Sequence, residues 1–324
     1  MSLVKKILNK FNGLHYPQEY LCLSYEHFKN PLCAYLISNH HVIRDITHLH
    51  LFVGYHPLIF ACSSSLTGIN SSEQKIEIAF CNRTLSQNEF LDKKDAIARL
   101  SLKKIHQFET GNDTILLFEG VNGKHHFVSS FHQFVIQLNN RFYNKKQGNV
   151  FLANNLYKQV QIAYSIPRKI CLITVGQNNL YNHFPTDLHG GINSHYIISL
   201  RHAGNACKQV ESAKRIVLSD VDASAYRKVY ALGKNHTQAL KQGAAFDFDL
   251  TCSKNFRLPL PKHLLSYKEL ELKDSFMHGI HKLLFFKVIY EEKVKTERET
   301  LAHIHNAYAS WRYKHGISSN LLLR

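Results

Sequence analysis

The chain has 324 residues, 44% of them hydrophobic and 20% charged, with 40 Lys and Arg against 24 Asp and Glu and a net charge of +16. The length suggests two domains, and the composition is that of a folded soluble protein rather than a disordered one. The positive balance favours acidic partners: nucleic acid, anionic lipid or phosphorylated small molecules. No apolar run reaches the roughly 18 residues of a transmembrane helix, which argues against a membrane protein. Cys22, Cys33, Cys62, Cys81, Cys171, Cys207 and Cys252 are an odd, scattered set without a CxxC pair. They read as free thiols in a reducing compartment. The N-terminus lacks the apolar core and small-residue cleavage site of a signal peptide, so a cytoplasmic protein is expected.

Residues 3–11 fit a short amphipathic helix, with Leu3, Ile7, Leu8 and Phe11 on one face. Brief apolar runs at 32–37, 49–54 and 57–62 read as strands, 63–72 as a loop, and the alternating run at 75–81 as another strand. The spacing of Phe90, Leu91, Ile97, Leu100 and Leu102 predicts a helix over 88–104. The run 114–119, followed by Asn122-Gly123 and 126–128, predicts a hairpin turning at Asn-Gly. A helix is expected over 130–142 and a linker over 143–148. The chain thus divides into an N-terminal α+β domain, 1–150, and a second domain, 151–324. No repeat is convincing from motifs, although both halves are rich in short strands.

In the second half, the alternation at 157–164 predicts a strand ended by Pro167. Two further strands, 170–175 and 196–200, flank a polar loop holding Asn179, Asn182, Pro185, Thr186 and Asp187. Asn205 then offers an N-cap to a helix with Ala206, Val210 and Ala213 as its buried stripe. A short strand at 216–218 follows. Helices are expected over 223–232 and 236–243, strands over 264–273 and 283–290, and a C-terminal helix over 297–313.

These residues carry a resemblance. The run PRKICLITVG, then Asn182-His183-Phe184-Pro185-Thr186, then HYIISLRHAGNACKQV, and later GIHKLLFFKV are together similar to the flavin reductase-like, FMN-binding split-barrel family. The resemblance spans about residues 155–313. It implies a β-rich α+β fold with an FMN-binding split β-barrel in the C-terminal half. It also implies FMN as cofactor, NADH or NADPH as electron donor, flavin reductase-like oxidoreductase activity, and a homodimer. Asn182, Ser199, Arg201 and His281 match its pattern and Thr174 lies in its first strand; Thr186 stands where the family often has Ser, Ile280 where it has Asp, and Ala206 or Cys207 where it often has Thr.

Physical chemistry adds Pro185 and Asp187 as loop residues at the flavin ring, and Gly204 and Asn205 at a helix N-terminus suited to a phosphate. Arg201 supplies a bidentate-capable positive charge. Flavin carries the redox chemistry, so a dedicated acid–base triad is not required. The structural alternatives are a surface charge for Arg201, turn roles for Asn182 and Thr186, and a simple cap for Asn205.

The second class of function is a non-catalytic binding protein holding flavin, haem or nucleic acid. Dispersed Lys and Arg residues and the lack of an aromatic RNA-binding motif argue against nucleic acid. The His pairs have no Cys or carboxylate at zinc-like spacing, so no metal is expected. Walker, GxGxxG and GxSxG motifs are absent from the sequence.

Overall fold

Alternating apolar residues on successive short segments build two large antiparallel sheets. The structure, a computed structural model, describes residues 13–92, 94–110, 113–143, 151–295, 299–317 and 321–322. The helix expected over 3–11 lies outside these residues, as does all but Tyr143 of the expected linker. No helix among the described residues is long and apolar enough to cross a membrane. The chain forms two compact units. One comprises Met1–Leu21, Lys29–Pro167 and Ile304–Ser319; the other comprises Cys22–Phe28, Arg168–His303 and Asn320–Arg324.

In the first unit, seven strands follow in chain order: β1 (Cys33–Ser38), β2 (His41–Asp45), β3 (His50–Tyr55), β4 (Leu58–Ser63), β5 (Lys75–Cys81), β6 (Ala96–Thr110) and β7 (Asp113–His125). They form one sheet in the order β2-β1-β5-β6-β7-β4-β3. Helix α1 (Ser64–Thr67) lies between β4 and β5, inside the stretch expected to be a loop, and Ser63 caps it. Helices α2 (Ser130–Tyr143) and α3 (Asn155–Ala163) complete this part.

Three expectations fail here. Part of the segment expected to be helical over 88–104 is strand β6, paired with β5 and β7. Leu100 and Leu102 point into the core as alternate strand residues, so a two-residue period was mistaken for a helical one. Asn122-Gly123 lies inside β7 rather than at a turn; the hairpin reverses between Thr110 and Asp113. The expected strand over 157–164 is helix α3, because Tyr157, Val160 and Tyr164 share a helix face and all are buried. Helix α3 also explains the glycine: Asn155 hydrogen-bonds both the N–H and the carbonyl of Gly123, and a Cβ there would lie 3.0 Å from Gln159.

In the second unit the strands of the large sheet are β8 (Cys171–Gln177), β9 (Leu180–Thr186), β10 (His189–Ile192), β11 (His195–Arg201), β12 (Arg215–Val221), β13 (Lys241–Gln242), β14 (Leu264–His278) and β15 (His281–Lys293). Their sheet order is β10-β11-β15-β14-β12-β8-β9-β13. Helix α4 (Asn205–Ala213) follows β11. Its Ala206, Cys207 and Val210 bury against Ile173, Val175, Ile198, Leu218 and Phe286 of the sheet. Each large apolar side chain fully buried this way contributes about 1.5–3 kcal/mol.

The two units repeat one topology. If the two-residue strand β13 is set aside, the strands of each unit, numbered in chain order, lie as second, first, fifth, sixth, seventh, fourth, third. All the pairings are antiparallel, and a helix sits between the fourth and fifth strands in both units. The first hairpin turns in the same way too: Asn39 and His40 have φ of 48° and 65°, Asn178 and Asn179 of 52° and 61°. Two successive positive φ values are the mark of a type I′ turn. A likeness between the halves that motifs do not reveal is therefore plain in the strand order.

The expected C-terminal helix is also revised. Residues Leu301–His305 form a strand, and helix α6 begins only at Asn306, where the His305 side chain accepts from Ala307 N. Here α5 denotes the short helix Tyr226–Ala231 within the long connection from β12 to β14.

Candidate functional site

The hairpin β8–β9 supplies the first part of the site. The expected polar loop is a strand from Leu180 onward, because the reversal is completed by Asn178 and Asn179 alone. The register sets Asn182 opposite Val175 and His183 opposite Thr174. Pro185 is accommodated because β13 covers only Leu180 and Tyr181 of this strand.

The second part comes from the connection between β12 and β14, which has no counterpart of similar length between β5 and β6. Its 3-10 segment Leu232–Thr237 is bonded to both β9 and α4. Asn182 Nδ2 donates to Gln209 Oε1 at 2.7 Å and to the Asn235 carbonyl at 3.0 Å. Asn235 Nδ2 donates in return to the His183 carbonyl at 2.8 Å. His236 Nε2 donates to the Pro185 carbonyl at 2.8 Å, and Asn205 Nδ2 donates to the Thr237 carbonyl at 2.8 Å. Gln209 Nε2 donates to the Gln238 carbonyl. Burial holds the His236 imidazole below its usual range; the Pro185 carbonyl opposes that shift and the Arg201 charge adds to it.

The third part is where β11 meets β15. Arg201 pairs with His281, and the Ser199 hydroxyl shares a 3.1 Å hydrogen bond with His281 Nδ1. Both side chains are buried, whereas Arg201 is exposed at the strand end. Gly204 N donates to the Arg201 carbonyl at 3.0 Å, so the backbone turns sharply into α4. The helix N-cap is Gly204 and not Asn205, whose amide is drawn away to Thr237. A Cβ on Gly204 would lie 3.3 Å from the Arg201 carbonyl oxygen and 3.4 Å from that of His236, a tight fit.

The ten residues singled out in the sequence are therefore distributed as follows. Asn182, Pro185, Gly204 and Asn205 gather around the 3-10 segment, with Arg201 close enough for its charge to reach His236. Ser199 and His281 form a separate buried pair. Thr174 is fully buried and bonded to His183 at 3.0 Å. Thr186 is buried at the end of β9. Asp187 turns to His303, Oδ2 to Nδ1 2.9 Å, and His303 Nε2 is in turn hydrogen-bonded to the Tyr230 hydroxyl.

Chemically, the side chains of Thr174, Asn182, Ser199 and His281 are buried and satisfied by protein partners. Arg201, the N-terminus of α4 and the exposed residues His202 and Ala203 form the reachable rim. An exposed arginine four residues before the first residue of a helix is a combination of charge and helix N-terminus that favours an anion. Sequence reasoning missed Asn235, His236, Gln209, His303 and Tyr230. Their partners lie tens of residues away, and no local spacing announces such contacts. Among the described residues no group of three or more His, Cys, Asp and Glu could hold a metal ion.

No family model matches the chain, and no curated protein matches it. Among solved structures, the NADH:FAD oxidoreductase SgcE6 of Streptomyces globisporus is similar to it at 12% identity and a TM-score of 0.42, covering 50% of this chain and 96% of that one. BorF, the flavin reductase component of a bacterial two-component tryptophan halogenase, is similar at 13% identity and a TM-score of 0.41, covering 47% and 94%. An FMN-binding protein from Thermus thermophilus is similar at 15% identity and a TM-score of 0.37, covering 43% and 87%.

Proposed function

We propose that the second unit binds FMN and passes reducing equivalents to it from NADH or NADPH, as a flavin reductase-like oxidoreductase on a split β-barrel that pairs as a homodimer. In this reading the flavin-handling part of the C-terminal half, 151–324, is the stretch Arg168–His303 that lies in the second unit. One observation carries the reading. A single 3-10 segment bonds β9 at Asn182 and Pro185 and the first turn of α4 at Asn205, near Arg201, so residues far apart in the flavin-like pattern are tied together behind one rim. The phosphate would face Arg201 and the N–H groups of α4. Flavin, when bound, supplies the hydride and electron chemistry.

The test is a fluorescence titration with FMN, followed by addition of NADH or NADPH. Saturable quenching and bleaching of the visible flavin bands are expected. Arg201→Ala should weaken binding by about 1.5–3 kcal/mol, the worth of a hydrogen bond to a charged group. That corresponds to about a 10- to 150-fold higher Kd. Unchanged affinity in this variant removes Arg201 from the site.

A second reading is a binding protein without turnover, for flavin, haem or nucleic acid. The committed, buried state of Asn182, Thr174, Ser199 and His281 favours it, because these side chains hold the fold together. FMN that binds but is not bleached by either nicotinamide cofactor supports this reading. A colourless protein that retards nucleic acid in a salt-dependent way selects its nucleic-acid form.

A further inference from the structure

Cys33 opens β1 and Cys81 closes β5, and the strand register sets the two directly opposite one another. Opposed residues of an antiparallel pair have Cα atoms about 4.5–5.5 Å apart and side chains on the same face. A disulfide needs a Cα separation of about 4.4–6.8 Å, so the backbone already has the spacing for a bridge. Both thiols are free, Cys81 fully buried and Cys33 half-buried.

Two further observations describe the surroundings of the two thiols. Cys33 and Cys81 are near enough for the charge of one to affect the other, and Cys33 is hydrogen-bonded to the Tyr35 hydroxyl. In the second unit the corresponding strands oppose Cys171 and Asp220, and there the side chains do meet: Cys171 Sγ donates to Asp220 Oδ1 at 3.0 Å.

We propose that Cys33 and Cys81 are a redox modification site, closed to a reversible cross-strand disulfide by a low-molecular-weight disulfide such as oxidised glutathione. The half-buried Cys33 thiolate attacks one glutathione sulfur, forming a mixed disulfide and releasing one glutathione thiolate. Cys81 gives up its proton and attacks the Cys33 sulfur, forming the bridge and releasing the second glutathione. The two protein thiols lose two electrons and two protons, and oxidised glutathione becomes two reduced molecules.

The order of events follows from the surroundings. Burial pushes the Cys81 thiol up to about 12, with Asp95 and Cys33 adding to the shift and Arg83 and Arg99 opposing it. Cys81 is therefore a poor first nucleophile and a fitting second one, since the register sets it opposite Cys33. Arg83 is itself held by Asp95 and Glu89. The bridge would staple β1 to β5 inside the sheet of the first unit.

The experiment equilibrates the full chain with oxidised glutathione, blocks free thiols and maps the peptides by mass spectrometry. Cys252, the exposed cysteine, should take up a mixed disulfide and reports that the oxidant was active. The expected result is a linked pair of peptides containing Cys33 and Cys81, a Tm raised by several degrees, and reversal of both by dithiothreitol. Cys33→Ser, a substitution at the half-buried partner, should abolish the linked pair and the Tm gain. The proposal is overturned if Cys252 reacts while Cys33 and Cys81 both stay reduced. It is equally overturned if Cys33 ends as a stable glutathione adduct, or if the bridge joins either cysteine to a different one.

Discussion

Asn182 shows how much structure a single buried side chain can hold together. Its amide is fully buried and donates to Gln209 Oε1 and to the Asn235 carbonyl, while its Oδ1 accepts from His183 N. Removing it leaves two buried acceptors without their donor, at about 1–3 kcal/mol each. Asn182→Ala should therefore lower stability by about 2–6 kcal/mol, seen as a lower urea midpoint with little change in slope. A variant as stable as the parent would mean that water replaces these bonds. Nothing local in the sequence distinguishes such an asparagine from a turn asparagine. Its side-chain amide partners lie 27 and 53 residues later, and only folding brings them together.

Elements show the same tension between local pattern and packing. The tight turns at Asn39-His40 and Asn178-Asn179 are legible, because asparagine tolerates positive φ. Asn179→Val places a β-branched residue at φ 61° and should cost about 1–2 kcal/mol, measured by chemical denaturation. Helix α3 was not legible, since Tyr157, Gln159 and Gln161 mimic strand alternation while the buried Tyr157, Val160 and Tyr164 also fit a helix. The close approach of α3 to β7 decides between them. Gly123→Ala should thus destabilise the first unit by about 1–3 kcal/mol, as an overpacked contact. An unchanged or raised midpoint would show that Gln159 yields freely.

At the scale of the molecule, each unit carries a buried histidine that resists protonation. Burial lowers His125 in the first unit and His183 in the second to about 4. The unfolded chain binds these protons near pH 6.5 and the folded chain does not. Their contribution is fully present above pH 6.5 and is lost as pH falls toward 4. Urea midpoints should therefore drop steadily between pH 6.5 and 4, by up to about 3 kcal/mol per histidine. A flat profile over that window would mean that both rings are protonated in the folded state. The duplicated strand order belongs to this scale as well. Both sheets run second, first, fifth, sixth, seventh, fourth, third, although their sequences share no obvious motif.

From the sequence alone came the β-rich α+β character, most strand positions and the helix after Arg201. Those features rest on local chemistry: side-chain period, turn residues and charge at an element's end. Tertiary structure alone decided that the supposed loop is strand β9, that Gly204 caps α4, and that Asp187 serves His303. It also decided that the two halves share one sheet topology. Each of these depends on contacts between residues distant in the chain, and a polar side chain's partner is set by which backbone groups folding leaves unpaired beside it.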